Sequence, residues 1–264
     1  MMRAALSLFP RSVWLTPWLL AALGAPLWLH WWEPAMFLWI NQAALPVPAA
    51  IWTGLSLLGN GWALLALTSP LLVLAPRLMW AWLCAAPFAA VLARVGKEWL
   101  DSPRPAALID NAQMRIIGEV MHNVSMPSGH TTTAFAVASA LYFALPQAVR
   151  GRYGWLWLLA LGAGLSRIAV GAHWPGDVVV GAALGMLCGL LGHCLLAKVP
   201  PTWQAPQSTG LRAVAAVVAL AMYHLATEVL DFEENQPAQW LLMAVAAASL
   251  LAFAIRSARA PSAS

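Results

Sequence analysis

Eight apolar stretches dominate this chain, near 12–30, 60–76, 78–97, 128–146, 154–171, 176–197, 211–230 and 238–255. A hydrocarbon core is crossed by roughly 20 helical residues, and by fewer when the helix is upright and anchored at its ends. Each stretch meets that length or comes near it. Only 9% of residues are charged and 61% are hydrophobic, whereas a soluble domain carries about 25% charged residues. One water-facing core cannot absorb that much apolar surface, so the bilayer is the solvent. The expected fold is all-α, an integral membrane protein with about eight transmembrane helices.

The stretch 34–53 mixes Phe37, Trp39 and Trp52 with Asn41, Gln42 and three prolines. It reads as an interfacial helix and loop rather than a span. Arg11 and Pro17 interrupt the first apolar run, which points to a retained span rather than a cleaved signal peptide. The Pro-rich piece 199–210 is the best boundary. It separates a six-span block, 1–198, from a C-terminal two-span hairpin with its tail, 211–264. Cys84, Cys188 and Cys194 lie inside apolar runs without metal-type spacing and read as packing residues. A net charge of +4 with pI near 9.3 does not point to nucleic acid, because the basic residues are scattered over loop ends.

Basic residues orient the chain. With a cytoplasmic N-terminus, the inner segments hold Arg3, Arg11, Arg77, Arg150, Arg152, Lys198, Arg212, Arg256 and Arg259. The outer side holds Arg94, Lys97, Arg104, Arg115 and Arg167, while the outer loops 30–60 and 231–237 hold none. Both termini are then cytoplasmic. Basic residues kept on the disfavoured side need a reason, and an anionic ligand there supplies one.

Three polar clusters fall on that outer side. The first, RVGKEWLDSPRP (94–105), places Arg94 and Lys97 one turn apart on a helical face and then Arg104 in a Pro-flanked loop. Taken alone it could be a helix end whose basic side chains snorkel to the headgroups. The second, SMPSGHTTTAFAVASA (125–140), opens a span. Pro127, Ser128 and Gly129 suit a helix start, whose free N–H groups bind anions, and His130 lies beside them. The third, SRIAVGAHWPGD (166–177), carries Arg167, His173 and Asp177. Four residues separate His173 from Asp177, close enough for the carboxylate to reach an imidazole N–H and fix the tautomer. Ionisable groups in membrane segments are costly and mark function, and these three clusters share one depth. There is no carboxylate-rich or Cys-rich set for a catalytic metal. Three cations, a helix start and two histidines fit metal-free chemistry on a phosphate, in which one histidine attacks phosphorus and the other protonates the leaving oxygen.

The patterns K-x6-R-P (97–105), P-S-G-H (127–130) and S-R-x5-H-x3-D (166–177) together resemble the three signature motifs of the type 2 phosphatidic acid phosphatase superfamily. The resemblance covers about residues 12–198 and leaves the hairpin after 200 outside it. It implies that His173 is a nucleophile forming a phosphohistidine, that Asp177 orients it and that His130 is the general acid. It further implies that Lys97, Arg104, Ser128, Gly129 and Arg167 bind phosphate, with no cofactor and no metal. The substrate it implies is a lipid phosphate, with undecaprenyl diphosphate or a related bacterial lipid favoured. The setting is the bacterial inner membrane with the site facing the periplasm. A lipid phosphotransferase, for instance on lipid A, would use the same residues. A transporter would need charges near the bilayer midplane. Arg115, Glu119, His122 and Asn123 could touch a headgroup or form a plain solvated loop. Arg94 could support the site from one turn below Lys97. His30, His193 and His224 read as interfacial or packing residues. Glu228, Asp231, Glu233 and Glu234 read as a solvated acidic face that could repel or steer anionic lipid.

Overall fold

The computed structural model describes residues 8–259; Arg3, counted above among the inner charges, lies outside them. Among the described residues there are helices and turns and no strand. In chain order the main helices are α1 (Arg11–Leu23), α2 (Ala35–Ala43), α3 (Ala49–Ser56), α4 (Gly61–Thr68), α5 (Pro76–Leu100), α6 (Gly129–Ala144), α7 (Trp155–Ala169), α8 (Pro175–Leu196), α9 (Thr209–Thr227) and α10 (Gln236–Arg259).

Among the described residues, four helical segments are long and apolar enough to cross a membrane: Pro76–Leu108, Pro175–Leu196, Thr209–Thr227 and Glu233–Arg259. The bent pair Ala49–Gly59 and Gly61–Thr68 makes a fifth if it is counted as one span. The protein is thus a multi-pass membrane protein, with four or five full-length spans among the described residues against the eight expected. The reasons are local. The run near 60–76 breaks after Thr68 and resumes only as the turn Leu71–Leu74, because Pro70 lacks an N–H and crowds the preceding turn. The first run stops at Gly24 and continues as the single turn Ala25–Trp28. The stretch expected to be one interfacial helix and loop forms two helices, α2 and α3. An 82° bend then separates α3 and its 3₁₀ extension from α4, and the bend sits at Gly59 and Asn60.

The centre of the fold is the α6–α8 pair. A Cβ on Gly181, Gly185 or Gly189 would overlap Ser128 and Thr131, Thr132 and Phe135, or Ser139 respectively. This i, i+4 stripe lets the two backbones approach closely, as small residues do in membrane helix pairs. Gly185→Val is therefore expected to force the pair apart at a cost of about 1–3 kcal/mol. Thermal unfolding of the detergent-purified protein should then occur at a lower temperature than in wild type.

The hairpin α9–α10 does not stand apart. Leu211, Val218 and Leu225 of α9 and Phe253 of α10 share one buried cluster with Leu64 of α4 and Trp82 of α5. Apolar side chains on the outer surface remain exposed, among them Leu23 at 82% and Leu251 at 64%, as lipid-facing residues should. The helices run alternately, so the ends of α5, α7 and α9 and the starts of α4, α6, α8 and α10 gather at one end of the bundle. Arg77, Arg150, Lys198, Arg212 and Arg256 lie at the opposite helix ends.

Candidate active site

At the close of α7 the chain turns at Gly171, whose φ of +82° suits glycine. The Arg115 carbonyl packs where a Cβ would sit, 2.5 Å away. The turn folds Ala172 N–H and His173 N–H back onto the Arg167 carbonyl, at 3.0 and 3.2 Å. His173 is thereby held beside Arg167, just ahead of α8.

The His173 ring has one face for each partner. Nδ1 lies 3.0 Å from Asp177 Oδ2. The same carboxylate oxygen accepts from Trp174 N–H at 2.9 Å and from the Ser125 hydroxyl. Nε2 lies 3.3 Å from Arg104 Nη1. A guanidinium can only donate, so Nε2 is the acceptor and the ring proton sits on Nδ1, facing Asp177. Burial, together with the charges of Arg104, Arg167 and Lys97, pushes the His173 imidazolium well below its ordinary range. The ring is neutral, with a lone pair on Nε2.

Cations surround that lone pair. Lys97 Nζ donates to the Val124 carbonyl at 3.0 Å. Arg104 Nε donates to Asn123 Oδ1 at 2.6 Å and Nη1 to the Ala172 carbonyl at 2.7 Å. Arg167 Nη1 donates to Ser56 Oγ. Arg167 Nε is buried with no hydrogen-bond partner among the described residues. A buried charged donor left unpaired is costly, and an anionic oxygen would satisfy it. Lys97, Arg104, Gly129, His130, Arg167 and His173 line a cavity of about 250 Å³. Ser128 does not line it. Its Oγ accepts from Thr131 N–H and Oγ1, at 3.4 and 2.9 Å, and so caps α6.

Across the cavity His130 Nε2 meets Asp231 Oδ2 at 3.0 Å. Asn60 Nδ2 donates to the same oxygen at 3.1 Å. The two paired side chains are only 22% and 21% exposed. Burial raises the Asp231 pKa, but the His130 hydrogen bond and the charges of His130 and Arg167 outweigh it and hold the carboxyl below its usual range. Phe232 follows, buried, with Arg167 stacked 5.6 Å from its ring centroid. Asp231 is therefore no member of a solvated acidic face: the α9–α10 turn folds it inward onto the cavity.

Other residues fall where packing takes them. Arg115 Nη1 donates to the Ala44 and Val47 carbonyls at 3.1 Å each. Arg94 pairs with Glu98 at 3.3 Å and points outward, 84% exposed. Asn123 serves Arg104, and Glu119 borders the cavity. His193 packs on Phe9, His224 on Trp62 and His30 on Trp174. Ser56, Asn60, Ser125 and Asp231 are the site residues missed in the sequence. Ser125 had the one available signal, its place two residues before the P-S-G-H motif.

The family model for the PAP2 superfamily matches residues 78–200. A decaprenylphosphoryl-5-phosphoribose phosphatase of Mycobacterium tuberculosis is 31% identical over 169 residues, 60% of this chain and 88% of that one. The chain belongs to the PAP2 superfamily. Among solved structures, LpxE of Aquifex aeolicus superposes with a TM-score of 0.53 at 30% identity, over 60% of this chain and 92% of that one. The bacitracin transport permease protein BcrC of Bacillus licheniformis is 34% identical over 103 residues, 39% of this chain. The match spans just 47% of BcrC's own length. The PAP2 match ends at residue 200, so Asp231 reaches the cavity from a hairpin outside it.

Proposed function

We propose that this protein is a lipid phosphate phosphatase working through a phosphohistidine. The observation that carries the reading is the His173 ring, neutral, bonded to Asp177 at Nδ1 and presenting Nε2 to a cavity lined by Lys97, Arg104 and Arg167. Phosphate oxygens bind the three cations and the Gly129 end of α6. The Nε2 lone pair forms a bond to phosphorus as the bond to the leaving lipid oxygen breaks, and protonated His130 gives that oxygen its proton. Neutral His130 then takes a proton from water as the water oxygen attacks phosphorus. The P–N bond breaks, and inorganic phosphate leaves. Asp177 stabilises the charge that His173 gains during each transfer.

The favoured substrate is a polyprenyl diphosphate such as undecaprenyl diphosphate, or a related bacterial lipid phosphate. The M. tuberculosis relative is named for a polyprenyl-linked substrate, which supports that class. We place the protein in the bacterial inner membrane with the site facing the periplasm and both termini in the cytoplasm. The counted Lys and Arg of the chain support that orientation. A transport path would thread polar groups through the bundle, whereas these gather at one end.

The test is release of free phosphate by the purified protein from undecaprenyl diphosphate, phosphatidylglycerophosphate, phosphatidic acid and lipid A. Appearance of phosphorylated lipid in place of free phosphate would assign the phosphohistidine to transfer instead. Because the cations are side chains and the nucleophile is imidazole, activity is expected to survive EDTA. Vanadate is expected to inhibit as a mimic of five-coordinate phosphorus. Loss in EDTA that magnesium restores would reject this chemistry.

A further inference from the structure

We infer that Asp231, carried by the C-terminal hairpin beyond the family-matched stretch, is a positioning residue that aims His130 for acid catalysis and favours its protonated form. The inference rests on the phosphatase reading above and assigns the hairpin a part in the same site.

Three observations carry it. Asp231 Oδ2 lies 3.0 Å from His130 Nε2, a charge-assisted geometry. Asn60, at the α3–α4 bend, donates to that same oxygen at 3.1 Å and fixes its place. Asp231 also sits at φ +58°, in the left-handed region that Asp and Asn tolerate better than most residues. The turn thus presents a short carboxylate where a longer or branched side chain would strain the backbone.

The charge balance explains why a carboxylate is needed. His130 must carry a proton to act as an acid, yet Lys97, Arg104 and Arg167 line the same cavity. A fourth cation among three is unfavourable without a counter-charge. Asp177 is already committed to His173, and Glu119 borders the cavity without a hydrogen bond to His130 among the described residues. An imidazolium has two N–H donors. Asp231 takes Nε2–H, and Nδ1, without a partner among the described residues, is left to deliver its proton to the leaving oxygen. The two histidines are then wired in opposite senses. Asp177 holds His173 at Nδ1 and frees Nε2 to attack; Asp231 holds His130 at Nε2 and frees Nδ1 to donate.

The test compares two substrates and a pH profile. Asp231→Asn keeps the side-chain size and the backbone preference and removes the charge. On a lipid monophosphate, whose leaving group is an alkoxide, it is expected to lower kcat about 10- to 100-fold, part of the 10²–10⁴ that a general acid supplies. On p-nitrophenyl phosphate, whose leaving group needs little protonation, the loss is expected to stay within about threefold. Without the carboxylate, His130 gives up its proton more readily against Arg167, Arg104 and Lys97. The alkaline limb of kcat/KM therefore moves to lower pH. Asn60→Asp serves as the second variant. It keeps the helix-capping oxygen on Trp62 and Ala63 but adds negative charge beside the His130–Asp231 pair, so the alkaline limb is expected to move to higher pH, opposite to Asp231→Asn.

Equal losses on the two substrates with no movement of the alkaline limb would overturn the assignment, as would unchanged kinetics. So would a gain in activity, which would make Asp231 a carboxylate that substrate must displace. Failure of the phosphatase reading is visible separately, as absent phosphate release by wild type on either substrate.

Discussion

His173→Ala is expected to abolish turnover of every substrate, by on the order of 10⁴-fold or more, and to leave no trappable phosphoenzyme. The expectation follows from the site's wiring. In wild type the proton on Nδ1 faces Asp177 and the Nε2 lone pair faces the cations. No other side chain in the cavity offers a neutral nitrogen in that place: His130 is tied to Asp231 and Lys97 to the Val124 carbonyl. Removing the ring removes the covalent path whatever the leaving group, so activated and unactivated substrates fall together. Asp177→Asn should fall short of that loss, since the imidazole remains but is poorly oriented, with Ser125 and Trp174 N–H still placed to hold the amide. The measurement is a quench of enzyme mixed with ³²P-labelled substrate under alkaline conditions, which preserve phosphohistidine. Label retained by His173→Ala would place the nucleophile elsewhere.

The parts of this site legible in the sequence are those set by short range. Arg167, His173 and Asp177 lie within eleven residues on one helix-turn-helix, and a positive-φ glycine with a Pro-led helix start fixes their geometry locally. Hydropathy likewise located α5, α8, α9 and α10, where one unbroken apolar run makes one helix. It read unbroken runs where Pro70 and Gly24 break the helix, because a window average does not register a single Pro or Gly. The remaining misses are long-range. Asn60 and Asp231 are 171 positions apart in the chain, and Asp231 and His130 are 101 apart. Nothing near Asp231 marks it: it stands among Glu228, Glu233 and Glu234 as one more acid at a helix end. Only the docking of α9–α10 against α4 and α5 decides that this acid turns inward while its neighbours face solvent.

His130→Ala is expected to separate the two histidines by their dependence on the leaving group. A general acid matters in proportion to how basic the departing oxygen becomes. A lipid alkoxide leaves poorly without a proton, and acid help is worth about 10²–10⁴-fold. A nitrophenolate leaves readily and needs little of it. The variant should therefore lose most of its phosphorylation rate on a lipid monophosphate and keep a far larger fraction of that rate on p-nitrophenyl phosphate. With the activated substrate its phosphoenzyme should still form, since Nε2 of His173 and the three cations are untouched by the change. The second half-reaction separates the variant further. Neutral His130 normally takes the proton from attacking water, so without it the phosphohistidine should outlive its wild-type counterpart, and a burst of nitrophenolate should precede a slow steady state. The burst is a readout independent of the lipid assay. Equal loss on both substrates with no burst, combined with phosphoenzyme formed by His173→Ala, would mean that the two roles are exchanged and that the ring beside Asp231, not the ring beside Asp177, attacks phosphorus.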